Sequence, residues 1–169
     1  MDSKRKETFS RSILSSAVLA AITSFSSTTQ ASPCPSVDAD NNILVVSGES
    51  CSGGINPSES VNDITIEGFV EGLIENDNGM VDFLINGGTL DGSFVNRDNA
   101  GEVRITNGAE VFEDILNYGQ VGNIIINDEP GVDTVIHGSV INALNSGEIF
   151  VSEDNTRIEG DVEILDGAT

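Results

Sequence analysis

Past residue 31 the sequence has no lysine and only three arginines, Arg97, Arg104 and Arg157, against 26 aspartates and glutamates, a net charge of −23. A field of that sign repels nucleic acid and anionic lipid, which argues against both as partners and against direct membrane insertion of this region. The acidic excess reads first as a solvated, aggregation-resistant outer surface. There is one histidine, His137, and no Cys or Ser nucleophile stands in register with it, so no catalytic dyad is expected. Cysteine is scarce too: Cys34 and Cys51 are the only two, and no Cys-x-x-Cys occurs, which removes the usual zinc and redox motifs. Long apolar runs are missing. The longest, Ile13 to Phe25, spans 13 residues broken by Ser15, Ser16, Thr23 and Ser24, well short of the roughly 20 residues needed to cross a hydrocarbon core.

What stands at the N-terminus has the order of a secretory signal. Lys4, Arg5, Lys6 and Arg11 precede the apolar run, and Thr29-Gln30-Ala31 closes it with a small-x-Ala site, so residues 1–31 are expected to be removed on export. Pro33 ahead of Cys34 departs from a lipoprotein box. In the oxidising compartment this implies, Cys34 and Cys51, which enclose 16 residues, are expected to form a disulfide. A closed loop of about 15 residues contributes about 3 kcal/mol in the chain-entropy model. Residues 32–66 are then read as an N-terminal cap plus an incomplete coil, with Ile43 to Val46 as a strand and Gly53, Gly54, Asn56 and Pro57 as a loop.

From residue 67 to 169 the sequence repeats. Val70, Leu90, Val111, Ile136 and Ile158 form a first apolar column, with steps of 20, 21, 25 and 22 residues. Two positions on lies a column of Gly72, Gly92, Glu113, Gly138 and Gly160. Next come Ile74, Phe94, Ile115, Val140 and Val162, and then Asn76, Asn96, Asn117 and Asn142. A second glycine column (Gly79, Gly101, Gly119, Gly147, Gly167) precedes Val81, Val103, Val121 and Ile149. Period-2 segments recurring at this interval mark stacked strands, and no single coil can bury its inward face alone. The expected fold is an all-β, right-handed parallel β-helix of about five coils, on the order of 24 Å long at one strand spacing per coil. The 25-residue step holds an insertion, Asn127 to Gly131, whose Pro130 requires a loop.

Several constellations tempt a chemical reading. The asparagine column is expected to be a structural ladder at coil corners, where Asn tolerates left-handed backbone and its amide bonds the next coil. Asp38, Asp40 and Asn42, and the stretch from Glu75 to Gly79, resemble starts of calcium loops, but neither supplies the glycine and terminal Glu that such loops require. Glu71, Asp91, Asp114 and Asp161 point outward and are candidates for a carboxylate pair of the kind used on polysaccharides. In a chain this acidic such proximity arises by chance, so no residue is assigned a catalytic, cofactor-binding or metal role, and the chain is read as non-enzymatic. By alternation Glu75, Val95, Leu116, Ile141 and Glu163 also face outward. Val95, Leu116 and Ile141 then stack into an apolar stripe, a candidate packing surface for another segment or partner.

Two passages, Gly92-Ser93-Phe94-Val95-Asn96 continuing to Gly101-Glu102-Val103-Arg104-Ile105, and Gly138-Ser139-Val140-Ile141-Asn142 continuing to Gly147-Glu148-Ile149-Phe150-Val151, resemble the passenger regions of bacterial autotransporters and related right-handed parallel β-helix surface proteins of Gram-negative bacteria. The resemblance implies an exported stalk at the cell surface, in the outer membrane or secreted, serving adhesion or display, with a host or neighbouring-cell surface ligand as partner. It also implies a C-terminal translocator barrel. Even eight strands would take about 80 residues, and none are seen, so the expectation is either the N-terminal piece of a longer passenger or a small exported protein. The alternative reading is a fragment of a polysaccharide-active β-helix enzyme, a lyase or hydrolase.

Overall fold

Every described strand pairs with its neighbours in parallel, because each is followed by a full circuit of chain before the next one docks beside it. The structure, a computed structural model, describes residues 32–119, 121–126, 132–143, 147–152 and 155–165. All of them belong to one unit, Ala31–Thr169. The signal-peptide reading and the Asn127 to Gly131 insertion lie outside the described residues.

The first circuit contributes β1 (Ser32–Pro33) and β2 (Ile43–Val45), and the second β3 (Ser50–Ser52) and β4 (Val61–Ile66). Three complete circuits follow: β5 (Phe69–Glu71), β6 (Ile74–Asn76), β7 (Met80–Asn86); β8 (Thr89–Asp91), β9 (Phe94–Asn96), β10 (Ala100–Thr106); and β11 (Glu110–Val111), β12 (Ile115–Asn117), β13 (Val121–Ile126). The stack ends with β14 (Thr134–Ile136), β15 (Val140–Asn142), β16 (Ile149–Val151), β17 (Thr156–Ile158) and β18 (Val162–Ile164). They assemble into three sheets: β1-β3-β5-β8-β11-β14-β17, β2-β4-β7-β10-β13-β16 and β6-β9-β12-β15-β18. This is an all-β parallel solenoid of about six turns, one more than the repeat alone indicates.

Each coil has three sides where the repeat pattern suggested two segments. The glycine column is the reason. Gly72 turns the chain at φ +116° between β5 and β6. A Cβ on Gly92, one coil on, would lie 2.3 Å from the carbonyl oxygen of Gly72. At this step the corner stacks backbone on backbone and favours a residue without a side chain, although Glu113 takes the same place one coil further on.

Inward columns fill the interior. Cys51, Val70, Leu90, Val111 and Ile136 line the first sheet and are all buried, with Ile158 partly buried against them. Ile74, Phe94, Ile115 and Val140 line the third at 0% exposure. The second sheet contributes two columns, Ile64, Phe83, Val103, Ile124 and Ile66, Ile85, Ile105, Ile126, again at 0%. Phe83 and Phe94 stack across the interior with ring centroids 4.0 Å apart. Val162, expected in the buried third-sheet column, is 50% exposed. No described strand lies beyond β18, so its inward side chain has a neighbour on one side only. Register also departs from the repeat reading in the second sheet, where Val103 pairs with Phe83 rather than Val81, and next to Ile124 rather than Val121.

Cys34 and Cys51 are bonded, with Cα atoms 4.6 Å apart. Cys51 continues the first inward column beneath Val70, so the disulfide ties the first coil to the bottom rung of the core.

Truncation at a fully stacked position should cost far more than at the end of the stack. Phe94→Ala should lower unfolding free energy by about 3–5 kcal/mol, and Val162→Ala by less than about 0.5 kcal/mol. Urea denaturation of the two variants checks the contrast.

Candidate functional site

The asparagine column lies inside the solenoid, not at its corners. Asn76, Asn96, Asn117 and Asn142 are buried. The Nδ2 of each donates to the Oδ1 of the next: Asn76 to Asn96 at 2.6 Å, Asn96 to Asn117 at 2.7 Å and Asn117 to Asn142 at 2.6 Å. Asn142 passes the chain on to the Gly147 carbonyl at 2.9 Å. A primary amide is the neutral side chain that donates on one face and accepts on the other, so its repeat matches the strand spacing. All bonds run in one sense and polarise one another. Left-handed backbone, the expected reason for asparagine here, belongs to other residues, Asn41, Asn107 and Asn155.

The outward stripe does stack in register, Glu75 beside Val95, then Leu116, Ile141 and Glu163. Val95, however, is only 6% exposed, and Leu116 and Ile141 are half-buried. At its lower end the Glu75 carboxylate takes Arg97 Nε at 2.8 Å and Asn56 Nδ2 at 3.2 Å.

The four candidate carboxylates fall into two separate places. Glu71 and Asp91 are exposed and directly opposed on β5 and β8. Asp114 and Asp161 are two rungs apart with Ser139 between them. Asp114 Oδ1 accepts the Ser139 N–H at 2.7 Å, and Ser139 Oγ accepts the Asp161 N–H at 3.1 Å. Asp114 therefore fixes a corner. Asp38 likewise closes an Asx turn, accepting from the N–H groups of Asp40 at 2.9 Å and Asn42 at 2.8 Å. Among the described residues, no group of three His, Cys, Asp or Glu is placed to hold a metal ion.

Two surfaces were not anticipated. The outer face of the second sheet carries Asp63, Asp82 and Glu102 in one register column and Leu44, Thr65, Leu84, Arg104, Ile125 and Phe150 in the next. Arg104 Nη2 meets Glu102 at 2.6 Å, which offsets part of the like-charge repulsion along the acidic column. The other surface is an edge. From the first sheet to the third, and from the third to the second, the inward residues keep fixed offsets of 4 and 9, as in Val70, Ile74, Phe83 and Leu90, Phe94, Val103. All variation in coil length therefore falls at the return from the second sheet to the first. There Asn86 Nδ2 bonds Glu67 at 3.2 Å and Asn107 Nδ2 bonds Asn86 at 2.8 Å.

His137 is more engaged than its isolation in the sequence suggests. Its Nε2 lies 3.0 Å from Glu110 Oε1 and its Nδ1 2.7 Å from Glu159 Oε2, while its ring stacks on Phe112 at 4.9 Å. Hydrogen bonding to Glu110, then to Glu159, raises the imidazole pKa above its ordinary value. The same bond to His137 lowers that of Glu159. Column arithmetic contained this cluster: Glu110 precedes Val111 by one, and Phe112, His137 and Glu159 follow Val111, Ile136 and Ile158 by one.

No protein-family model, no curated protein and no solved structure matches this chain.

Breaking the interior amide chain should be costly. Asn96→Ala removes both the Asn96 Nδ2 donor to Asn117 Oδ1 and the short Asn96 Oδ1 acceptor of Asn76 Nδ2. At about 1–3 kcal/mol for each buried group that loses its partner, the two together amount to about 2–6 kcal/mol. Asn56→Ala, which removes an exposed amide contact, should change stability by less than about 0.5 kcal/mol. Chemical denaturation of both variants tests whether the interior position carries the difference.

Proposed function

We propose that this chain is the β-solenoid stalk or passenger region of an exported, autotransporter-like surface protein, serving adhesion or display and not catalysis. The observation that carries the reading is the uninterrupted coil-on-coil stack, with its interior columns and asparagine chain running through consecutive turns. Such a stack makes a stiff spacer, and each added coil lengthens it by one strand spacing. The charged and apolar segments of residues 1–31, the Cys34–Cys51 bond and the acidic surface all suit a protein that crosses a membrane unfolded and folds in an oxidising compartment.

Loops of unequal length along one edge are where solenoids commonly meet partners. The return edge between the second and first sheets is thus the place for a host or neighbouring-cell ligand. Remaining passenger coils, if the protein is longer, would stack on the rungs of the last turn. A second reading, a polysaccharide-active enzyme, draws on the opposed Glu71 and Asp91 carboxylates.

Expression with the natural N-terminus in a Gram-negative host, followed by fractionation and intact mass measurement without reductant, tests the first reading. The expected product begins at Ser32, lies outside the cytoplasm and takes up no alkylating reagent. A full-length cytoplasmic product with two reactive thiols would contradict it. Release of reducing ends from polysaccharides, lost in Asp91→Asn, would favour the second reading instead.

A further inference from the structure

The two ring nitrogens of His137 each face a carboxylate, Glu110 at 3.0 Å on the coil below and Glu159 at 2.7 Å on the coil above. Carboxylates only accept, so both contacts are hydrogen bonds only when both nitrogens carry protons, that is, when the ring is imidazolium. A neutral ring has one N–H. Its other nitrogen would then present a lone pair to a carboxylate oxygen at hydrogen-bonding distance.

We propose that His137 is a protonation-dependent clasp joining three successive coils, and that its deprotonation loosens the turns that follow β11. The clasp bridges the one coil lengthened to 25 residues, where β14 must dock on β11 after the longest return. The groups facing it come from both flanking coils. From the lower one come Glu110 and the Phe112 ring; from the upper one come Glu159 and, through Glu159 Oε1 at 2.7 Å, Arg157. At the adjoining corner Asp114 is committed to the Ser139 N–H.

When the ring loses a proton one nitrogen can no longer donate, and the hydrogen bond on that side, to the coil below or to the coil above, is lost.

The sign follows from the direction of each shift. His137 has a folded pKa raised above its ordinary 6.5, so its contribution is complete below 6.5 and is lost as pH rises through the raised value. Glu159 has a folded pKa lowered from 4.5, so its contribution is complete above 4.5 and is lost as pH falls through the lowered value. The clasp is therefore closed in mildly acidic solution and open in alkaline.

Because His137 is the only histidine, its ring proton resonances in tag-free protein titrate without ambiguity. The expected midpoint lies above 6.5 and moves down in Glu110→Gln and in Glu159→Gln, both conservative changes at exposed carboxylates. Each unit of elevation corresponds to a tenfold change in the opening equilibrium of the clasped turns. Amide exchange in β14 and β17, corrected for its intrinsic pH dependence, should accelerate by that factor across the midpoint, and the acceleration should vanish in His137→Gln. A midpoint at or below 6.5, a midpoint unmoved by either glutamine variant, or an acceleration that persists in His137→Gln would overturn the proposal.

Discussion

No coil of this protein can bury its own inward face, and that constraint sets everything else. An inward leucine or phenylalanine is removed from water chiefly by the coils stacked beside it, so stability comes from neighbours in the stack more than from contacts within a turn. Leu90 and Ile115, with coils on both sides, are fully buried, while Val162 on the last described turn is half exposed. The asparagine chain applies the same logic to polar groups. Asn96 and Asn117 each donate to the amide of the rung above and accept from that of the rung below, so a rung out of register would strand buried polar atoms as well as apolar surface.

Much of this was legible in the sequence because the repeat is a direct image of the stack. The columns through Val70 and Ile74 and the all-β parallel class follow from period and alternation; the asparagine ladder does too, but its place inside the solenoid differs from the corners expected for it. What was missed traces to which residue was used as the ruler. Glycine is a poor marker for the start of the second segment, because Gly79 lies three residues after its asparagine in a turn and Gly101 five residues after, inside β10. Counting seven residues from the asparagine instead gives Phe83, Val103, Ile124 and Ile149, the register observed.

The same ruler extends the solenoid downward. Cys51, Ile55, Ile64 and Ile66 keep the offsets of 4, 9 and 2 found in Val70, Ile74, Phe83 and Ile85. A turn with these offsets therefore lies within the stretch expected to hold a cap plus an incomplete coil; it keeps the corner glycine, Gly53, but has Pro57 where later coils have asparagine. Burial of Val95 was not legible, because alternation gives the side a residue points to but not what covers it there. The His137 cluster is a different case: its members are remote in sequence and became neighbours only once register was fixed.

A fold built this way divides labour between inside and outside. Interior columns accept almost no chemistry other than apolar contact and the amide chain, whereas outward positions are free to vary and carry the acidic ladder, the exposed Leu44 and Phe150, and the histidine clasp. The continuous interior amide chain is what fixes the register of the stack. Scalar coupling across hydrogen bonds, measured by NMR from the Asn96 side-chain nitrogen to the Asn117 side-chain carbonyl carbon, tests it directly. The structure predicts a detectable coupling and slow exchange of those side-chain protons with solvent. No coupling, with amide protons exchanging as freely as those of Asn56, would contradict it.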